Sequence, residues 1–301
     1  MELESRSCSM CRGELGAEVF PYRTRFNGQH FSYRRCQSCG SVIVATVPTA
    51  QTFARMYAKE NYHDNHYSAV SAAPYMRSAR LLSRHLPAGA TVLDYGCGAG
   101  AFLASVKAQG LSPFGVEFDA DAASHAAQVA GCTVFTMAQF EGGEIAQRFD
   151  AIHLGDVLEH MPDPMGSIDH ILTLLKPGGM LFLEGPLENN PSLVFWVARL
   201  FGALKRGLNR QASAQGAPTH LIRTHAAAQR AFVGHLSGQF KERHWRVYET
   251  GWPYRDGGVV KRCIAGAARA LSRAASPLGL ELGNRFEVLY EMRPAQQVAA
   301  A

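Results

Sequence analysis

The sequence predicts an α/β protein, a doubly wound parallel sheet preceded by a small cysteine-rich module, and three observations carry that expectation. Short β-rich runs alternate with helical stretches from residue 90 onward. A glycine turn, Gly96-Cys-Gly98-Ala-Gly100, follows the first of those runs. Four of the seven cysteines form two C-x-x-C pairs within the first forty residues.

Residues 1–45 read as a compact, loop-rich unit: Cys8-Ser-Met-Cys11, a polar hairpin-like stretch, then Cys36-Gln-Ser-Cys39-Gly40. Val42–Val47 reads as a short strand ending at Pro48, and residues 49–86 as irregular helix rich in tyrosine (Tyr57, Tyr62, Tyr67, Tyr75). Thr91–Tyr95 is a strand, followed by the glycine turn and a helix over Phe102–Gln109. Strands at Ser112–Glu117, Cys132–Thr136, Phe149–Leu154 and Met180–Glu184 alternate with helices at Asp121–Val129 and within Met165–Leu175. Such alternation, with right-handed crossovers, gives a parallel sheet covered on both faces. Beyond Pro186 the alternation breaks. Ser192–Lys205 is apolar with a basic end, Asn209–Pro218 is a polar loop, and a helix spans Ala226–Leu236. A strand at His244–Glu249, an amphipathic helix at Val259–Ala275 and a strand at Arg285–Met292 close the chain. The expected division is a module over 1–47, a helical linker and cover over 48–85, a domain over 86–293 with an insertion at 187–237, and a disordered tail over 294–301.

At 301 residues, 47 % hydrophobic and 18 % charged, the composition is that of a globular protein and excludes extensive disorder. No apolar run reaches the length of a membrane span. Met1–Arg12 carries charge and cysteines where a secretory signal needs an apolar stretch, so a soluble, cytoplasmic protein is expected. In that compartment paired cysteines favour thiolate ligation over disulfides. Charge is divided unevenly: residues 90–189 hold three Lys/Arg against thirteen Asp/Glu, whereas residues 190–301 hold sixteen against six. The asymmetry suggests that the two parts face different ligands, the acidic part holding the candidate cofactor site and the basic part facing an anionic acceptor, though solvated surface charge is the better explanation of any single Lys or Arg.

The chemistry concentrates at Val92-Leu-Asp-Tyr-Gly96-Cys-Gly98-Ala-Gly100. Glycines at a strand-to-helix turn let the backbone approach a ligand and leave amide groups at the helix start to meet an anion. The G-x-G-x-G spacing differs from the dinucleotide fingerprint, and no G-K-[ST] ending marks a phosphate loop. Asp94 adds negative charge beside the turn. Glu117, twenty-one residues after Gly96 at the end of the next strand, is placed to accept both hydroxyls of a ribose.

VLDYGCGAG, GVEFD, FDAIHLGDVLEHMPDP and LKPGGMLFLEGP, in that order, resemble the class I S-adenosylmethionine-dependent methyltransferases. The likeness covers about residues 75–190 and is nearest to the group with the ubiquinone-pathway O-methyltransferases and other small-molecule methyltransferases. It implies a seven-stranded Rossmann-like sheet with a reversed final strand, His244–Glu249 and Arg285–Met292 supplying the last two. It further implies that Asp94, Gly96, Gly98 and Gly100 hold the methionine part of S-adenosylmethionine and Glu117 the ribose. Met137 and Ala138 would border the adenine, and Gly155 and Asp156 would close the pocket beneath the sulfonium.

The two cysteine pairs, separated by twenty-four residues, are close to a zinc-ribbon spacing. Cys8, Cys11, Cys36 and Cys39 would form a closed tetrahedral site, structural because no position is left for water. Disulfides or unligated thiols are the alternatives, and spacing and compartment favour zinc. Such a module on this core is similar to the sugar C-methyltransferases acting on nucleotide-linked deoxysugars. Those continue into another sizeable C-terminal domain, and this chain closes soon after its last strand, a departure that weighs against nucleotide sugars.

Methyl transfer from an activated sulfonium needs positioning above all, and in some cases a base for the acceptor proton. Asp156-Val-Leu-Glu159-His160 places two carboxylates and an imidazole on one face if the segment is helical. Some related O-methyltransferases use a matching cluster to hold a divalent cation, but pocket shaping without metal is the favoured reading here. His160 and His220, the latter in Pro218-Thr-His-Leu221, are the candidate catalytic groups, with His225 a weaker companion. Ser192–Arg210 suits a substrate lid, a membrane or lipid-like contact, or equally a helix packed on the sheet or in a homodimer.

A small-molecule acceptor is therefore expected, anionic or lipid-like, with oxygen somewhat ahead of carbon. A non-catalytic adaptor is disfavoured by the intact glycines and Glu117. A nucleic-acid methyltransferase is disfavoured because Gly155-Asp156-Val-Leu replaces the N/D-P-P-[YF] motif of base amino methylation.

Overall fold

A computed structural model describes residues 4–57, 72–208, 214–237 and 239–293, with the side chains of 201–208 and 214–215 outside that description. Tyr62, Tyr67, the start of the 209–218 loop and the tail over 294–301 therefore lie outside the described residues.

Strand β1 (Leu15–Phe26) turns at Asn27-Gly28, both at positive φ, into β2 (Gln29–Cys36). An Asn-Gly pair adopts that mirror-image turn at little steric cost and matches the twist of the two strands. β3 (Val42–Val44) pairs antiparallel with β2, and helices α1 (Ala50–Tyr57) and α2 (Ala73–Ser83) follow. The segment expected to be loop-rich is thus mostly a hairpin.

The second unit runs β4 (Thr91–Tyr95), α3 (Ala101–Ala108), β5 (Ser112–Glu117), α4 (Ala120–Ala130), β6 (Thr133–Thr136), α5 (Met137–Glu141) and β7 (Phe149–Gly155). A single 3-10 turn at Leu158–His160, α6 (Pro164–Leu172) and β8 (Leu175–Pro186) come next. The chain continues through α7 (Leu193–Leu208), β9 (Ala214–Gln215), β10 (Ile222–Arg223), α8 (Ala226–Val233), β11 (Phe240–Tyr248), α9 (Val259–Ala275) and β12 (Arg285–Met292).

Seven strands form one sheet in the order β11-β12-β8-β7-β4-β5-β6, and β12 alone runs antiparallel to its neighbours β8 and β11. This is the doubly wound sheet with one reversed strand that the sequence implies. Its switch point lies between β4 and β7, where α/β sheets open a crevice at the carboxyl ends of their strands.

The second sheet, β10-β3-β2-β1-β9, joins strands far apart in the chain: Ile222 pairs with Ile43, and Ala214 with Thr24. Met10, Phe31 and Tyr33 belong to the same buried cluster as Ile152, Leu183 and Phe286. Residues 4–47 and the large sheet therefore share one core, with β10 as the seam.

Candidate functional site

Gly96 and Gly100 show why the turn after β4 is built from glycine. Both take positive φ, +78° and +81°. A Cβ on Gly96 would meet Val157 Cγ2 at 2.6 Å, and one on Gly100 would meet the Ala126 backbone at 3.0–3.1 Å. Any side chain would strain the backbone and drive α3 away from α4. Gly98 donates its N–H to Glu117 Oε2 at 2.7 Å, and Phe118 N–H reaches Glu117 Oε1 at 2.8 Å. The carboxylate, 5 % exposed, is thus fixed by the loop itself. Met137, at the start of α5, accepts a hydrogen bond from the Tyr95 hydroxyl at 3.3 Å on Sδ, and Ala138 follows it.

A cavity of about 1300 Å³ opens at the carboxyl ends of β4 and β7. Asp94, Gly96, Gly155, Asp156, His160 and His220 all line it, whereas Gly98, Gly100, Glu117, Met137 and Ala138 are not part of its wall. The opposite wall comes from the small sheet, with Tyr33 and Arg35 of β2.

Beneath the glycine turn lies a group that sequence reasoning missed. His153 is buried in β7 with Nδ1 2.7 Å from Asp94 Oδ1 and Nε2 3.3 Å from Glu184 Oε1. Its ring stacks on Phe102 at 3.8 Å between centroids. Burial opposes its charge, but the two carboxylates outweigh burial and raise its pKa to about 9, so it is an imidazolium at neutral pH. Glu184 also accepts from Ser78 Oγ at 2.8 Å, and despite burial its pKa is held below the usual range, chiefly by His153. Gly155 is glycine for the same reason: a Cβ there would sit 2.6 Å from His153 Cε1. A histidine inside an apolar strand reads as core, and the only signal was that it lies level with Asp94 in the next strand.

Asp156, Glu159 and His160 do not share one helical face. Asp156 takes a left-handed φ of 55°, and only a 3-10 turn follows. The left-handed backbone swings the Asp156 carboxylate toward β12, where Arg285 Nη2 meets both oxygens at 2.7 and 2.9 Å. Glu159 and His160 instead converge with His220, their ligating atoms all within 4.8 Å of one another. Burial, then Asp156, pushes the Glu159 carboxyl up to about 8. Burial, then the neighbouring His220, pulls His160 down to about 4, and its Nδ1–H donates to the Thr219 carbonyl at 2.6 Å. His220 differs. Burial opposes its charge too, but Glu188 Oε1 lies 3.1 Å from Nδ1 and the net shift is upward. Arg223 Nε approaches the other Glu188 oxygen at 3.1 Å without a well-aligned hydrogen bond, and its guanidinium lies over the Tyr33 ring at 5.0 Å. Glu188, Arg223 and Arg285, all unremarked in the sequence, thus join the site.

At the far end of the small sheet, Cys8 and Cys39 Sγ atoms are 3.7 Å apart and those of Cys11 and Cys36 3.6 Å. A disulfide needs about 2.05 Å. A tetrahedral zinc with bonds of about 2.3 Å would set its sulfurs about 3.8 Å apart, so the four thiols fit such an ion. His225, expected as a companion of His220, instead donates its Nε2–H to the Cys39 carbonyl (2.9 Å) and caps α8 by accepting Ala228 N–H on Nδ1.

A family profile described as a methyltransferase domain matches residues 42–244. A ubiquinone biosynthesis O-methyltransferase of Xanthomonas axonopodis pv. citri (strain 306) is 36 % identical over 104 residues, 33 % of this chain and 44 % of that protein. Its counterpart from Vibrio vulnificus (strain YJ016) is 31 % identical over 113 residues, 36 % of this chain and 48 % of that protein. The chain thus spans less than half the length of these curated relatives. Among solved structures, that of the cyclase SpnF superposes with a TM-score of 0.51 at 17 % identity, covering 82 % of this chain and 98 % of that one. That likeness shows the fold alone, since one fold hosts many reactions. The profile spans most of the chain, including β3, the glycine turn, Glu117, the 3-10 turn and His220, and on that match the chain belongs to the methyltransferase-domain family.

Proposed function

We propose that the protein transfers the methyl group of S-adenosylmethionine to a hydroxyl of a small molecule, with His220 as the proton acceptor. The observation that carries this reading is a single cavity that joins Asp94 and Gly96 of the glycine turn to His160 and His220. S-adenosylmethionine would supply an activated sulfonium methyl, so the protein's task is alignment and proton removal. Asp94, Gly96, Gly98 and Gly100 would hold its methionine part, Glu117 the ribose hydroxyls, Met137 and Ala138 the adenine, and Gly155 and Asp156 the pocket floor. As the new carbon–oxygen bond forms and the sulfur–carbon bond breaks, the hydroxyl proton passes to His220 Nε2. Nδ1–H is committed to Glu188, which fixes the tautomer and supports the charge that develops. His160, pulled down to about 4, is a poor base and serves better as a neutral wall of the acceptor site.

Zinc held by Cys8, Cys11, Cys36 and Cys39 would be structural, fixing the sheet that lends Tyr33 and Arg35 to the cavity. A second reading rests on the convergence of Glu159, His160 and His220: the three would hold a divalent cation that eases ionisation of the acceptor hydroxyl.

The test is transfer of a radiolabelled methyl group to phenols, lipids, nucleotide sugars and RNA. The expected result is label in a small hydroxylated acceptor, resistant to chelators, with kcat lower by roughly 10²–10³ in His220→Ala. Wild-type turnover should rise with pH through the elevated pKa of His220, because only the neutral ring accepts a proton. Label confined to RNA would overturn the reading, and loss of turnover on chelation of divalent cations, with the four-cysteine zinc retained by metal analysis, would select the second one.

A further inference from the structure

The surface of α9 is inverted relative to that of an ordinary solvent-facing helix. It buries only small residues, Ala265, Ala268, Ser272 and Ala275, against the body of the protein and packs on α7. Its opposite face, where charge would be expected, carries Val259, Cys263, Ala267, Ala270 and Ala274, all exposed. Val260 and Leu271 widen this apolar stripe at 74 % and 47 % exposure, and Leu278 and Leu280 extend it past the helix end at 75 % and 54 %. Arg262, Arg269 and Arg273 line one edge, as the 100° turn per residue places them together. Exposed apolar side chains also stand at the cavity itself. Trp252, seven residues before Val259 and 62 % exposed, stands on the cavity rim with Trp196 and Leu200 of α7, which are 59 % and 61 % exposed.

Charge decides what covers this face. α7 and α9 together contain seven basic residues and no carboxylate. A second copy packed through the same face would bring like charges together, whereas an anionic surface would complement them. Tryptophan beside an apolar stripe with an arginine edge is also the composition of an interfacial helix.

We propose that this face docks the protein on an anionic lipid bilayer, with α9 lying in the interface and the cavity rim at Trp196 and Trp252 turned toward the lipid. Acceptors carrying an apolar chain then enter the cavity without leaving the membrane. The docking itself rests on surface geometry and charge and stands whether or not the methyl-transfer reading holds.

Flotation of the full chain with vesicles tests it directly. Vesicles containing phosphatidylglycerol should carry the protein, and vesicles of phosphatidylcholine alone should carry far less. Val260→Glu should reduce binding on the order of tenfold, and each of Arg262→Gln and Arg273→Gln about fivefold. All three positions are exposed, so unchanged thermal melts and unchanged S-adenosylhomocysteine affinity would show intact folding. Brominated lipid should quench tryptophan fluorescence, with the loss reduced in each of Trp196→Phe and Trp252→Phe and removed when both are replaced. Absence of binding, equal binding to neutral vesicles, or binding indifferent to these substitutions would overturn the proposal. A dimer in sedimentation that Val260→Glu dissolves, without vesicle uptake, would overturn it in favour of a second copy.

Discussion

His153 is held between Asp94 and Glu184 with almost no access to water, and it changes what those carboxylates can do. Alone, two acids on the floor of a cavity would repel each other and attract any cation strongly. With the imidazolium between them the trio carries one net negative charge, and Ser78 and Phe102 fix its geometry. The consequence for stability follows from linkage. His153 rises from about 6.5 unfolded to about 9 folded, so its contribution is complete below pH 6.5 and is lost as pH rises through 9. Glu184 is depressed by the same pairing, so its contribution is present above its unfolded value near 4.5 and is lost on acidification. The wild-type protein should therefore lose roughly 3 kcal/mol of stability between pH 6.5 and 9. His153→Gln should be less stable at pH 6.5 and flatter across that window. Denaturant unfolding at several pH values measures both slopes, and identical slopes would remove His153 from ionic pairing. Asp94 was legible in sequence because it sits beside a glycine turn that needs an explanation. Its partner was not, because cross-strand neighbours are distant in the chain and a lone strand histidine looks like core.

At the scale of elements, the β/α alternation was legible because each strand and helix carries its own period and its own punctuation. α9 and β12 match the expected Val259–Ala275 and Arg285–Met292 at both ends. What local pattern could not supply was the turn after β7. Asp156 through His160 has helical spacing, yet one left-handed residue redirects the carboxylate to Arg285 and leaves Glu159 and His160 to meet His220. The cysteine knuckles were legible from spacing, and their reach was not. Cys39 is tied to His225 and β3 to β10, so the cysteine end of the small sheet is connected to the segment that carries His220 and Arg223. Cys36→Ser should lower bound zinc by metal analysis and lower Tm by roughly 5–10 °C. Full retention of zinc would contradict a four-cysteine site.

Over the whole molecule, two sheets meet around one cavity: the large one supplies the glycine turn and the small one the facing wall. Pairing of Ile222 with Ile43 spans most of the chain, which is why a boundary near residue 47 was the natural reading of sequence and a shared core is what the structure contains. The charge asymmetry follows a different line, with acids at the glycine-turn side of the large sheet and bases on α7 and α9. No helix among the described residues is long and apolar enough to cross a membrane.

The central claim, that the turn after β4 and Glu117 form an adenosyl-sulfur site, is tested most directly by calorimetric titration of S-adenosylhomocysteine into the full chain and into Glu117→Ala. One-to-one binding to the wild type is predicted, weakened at least about tenfold in the variant by loss of charge-assisted hydrogen bonds to the ribose. No heat with the folded wild type, or equal affinity in the folded variant, would contradict it.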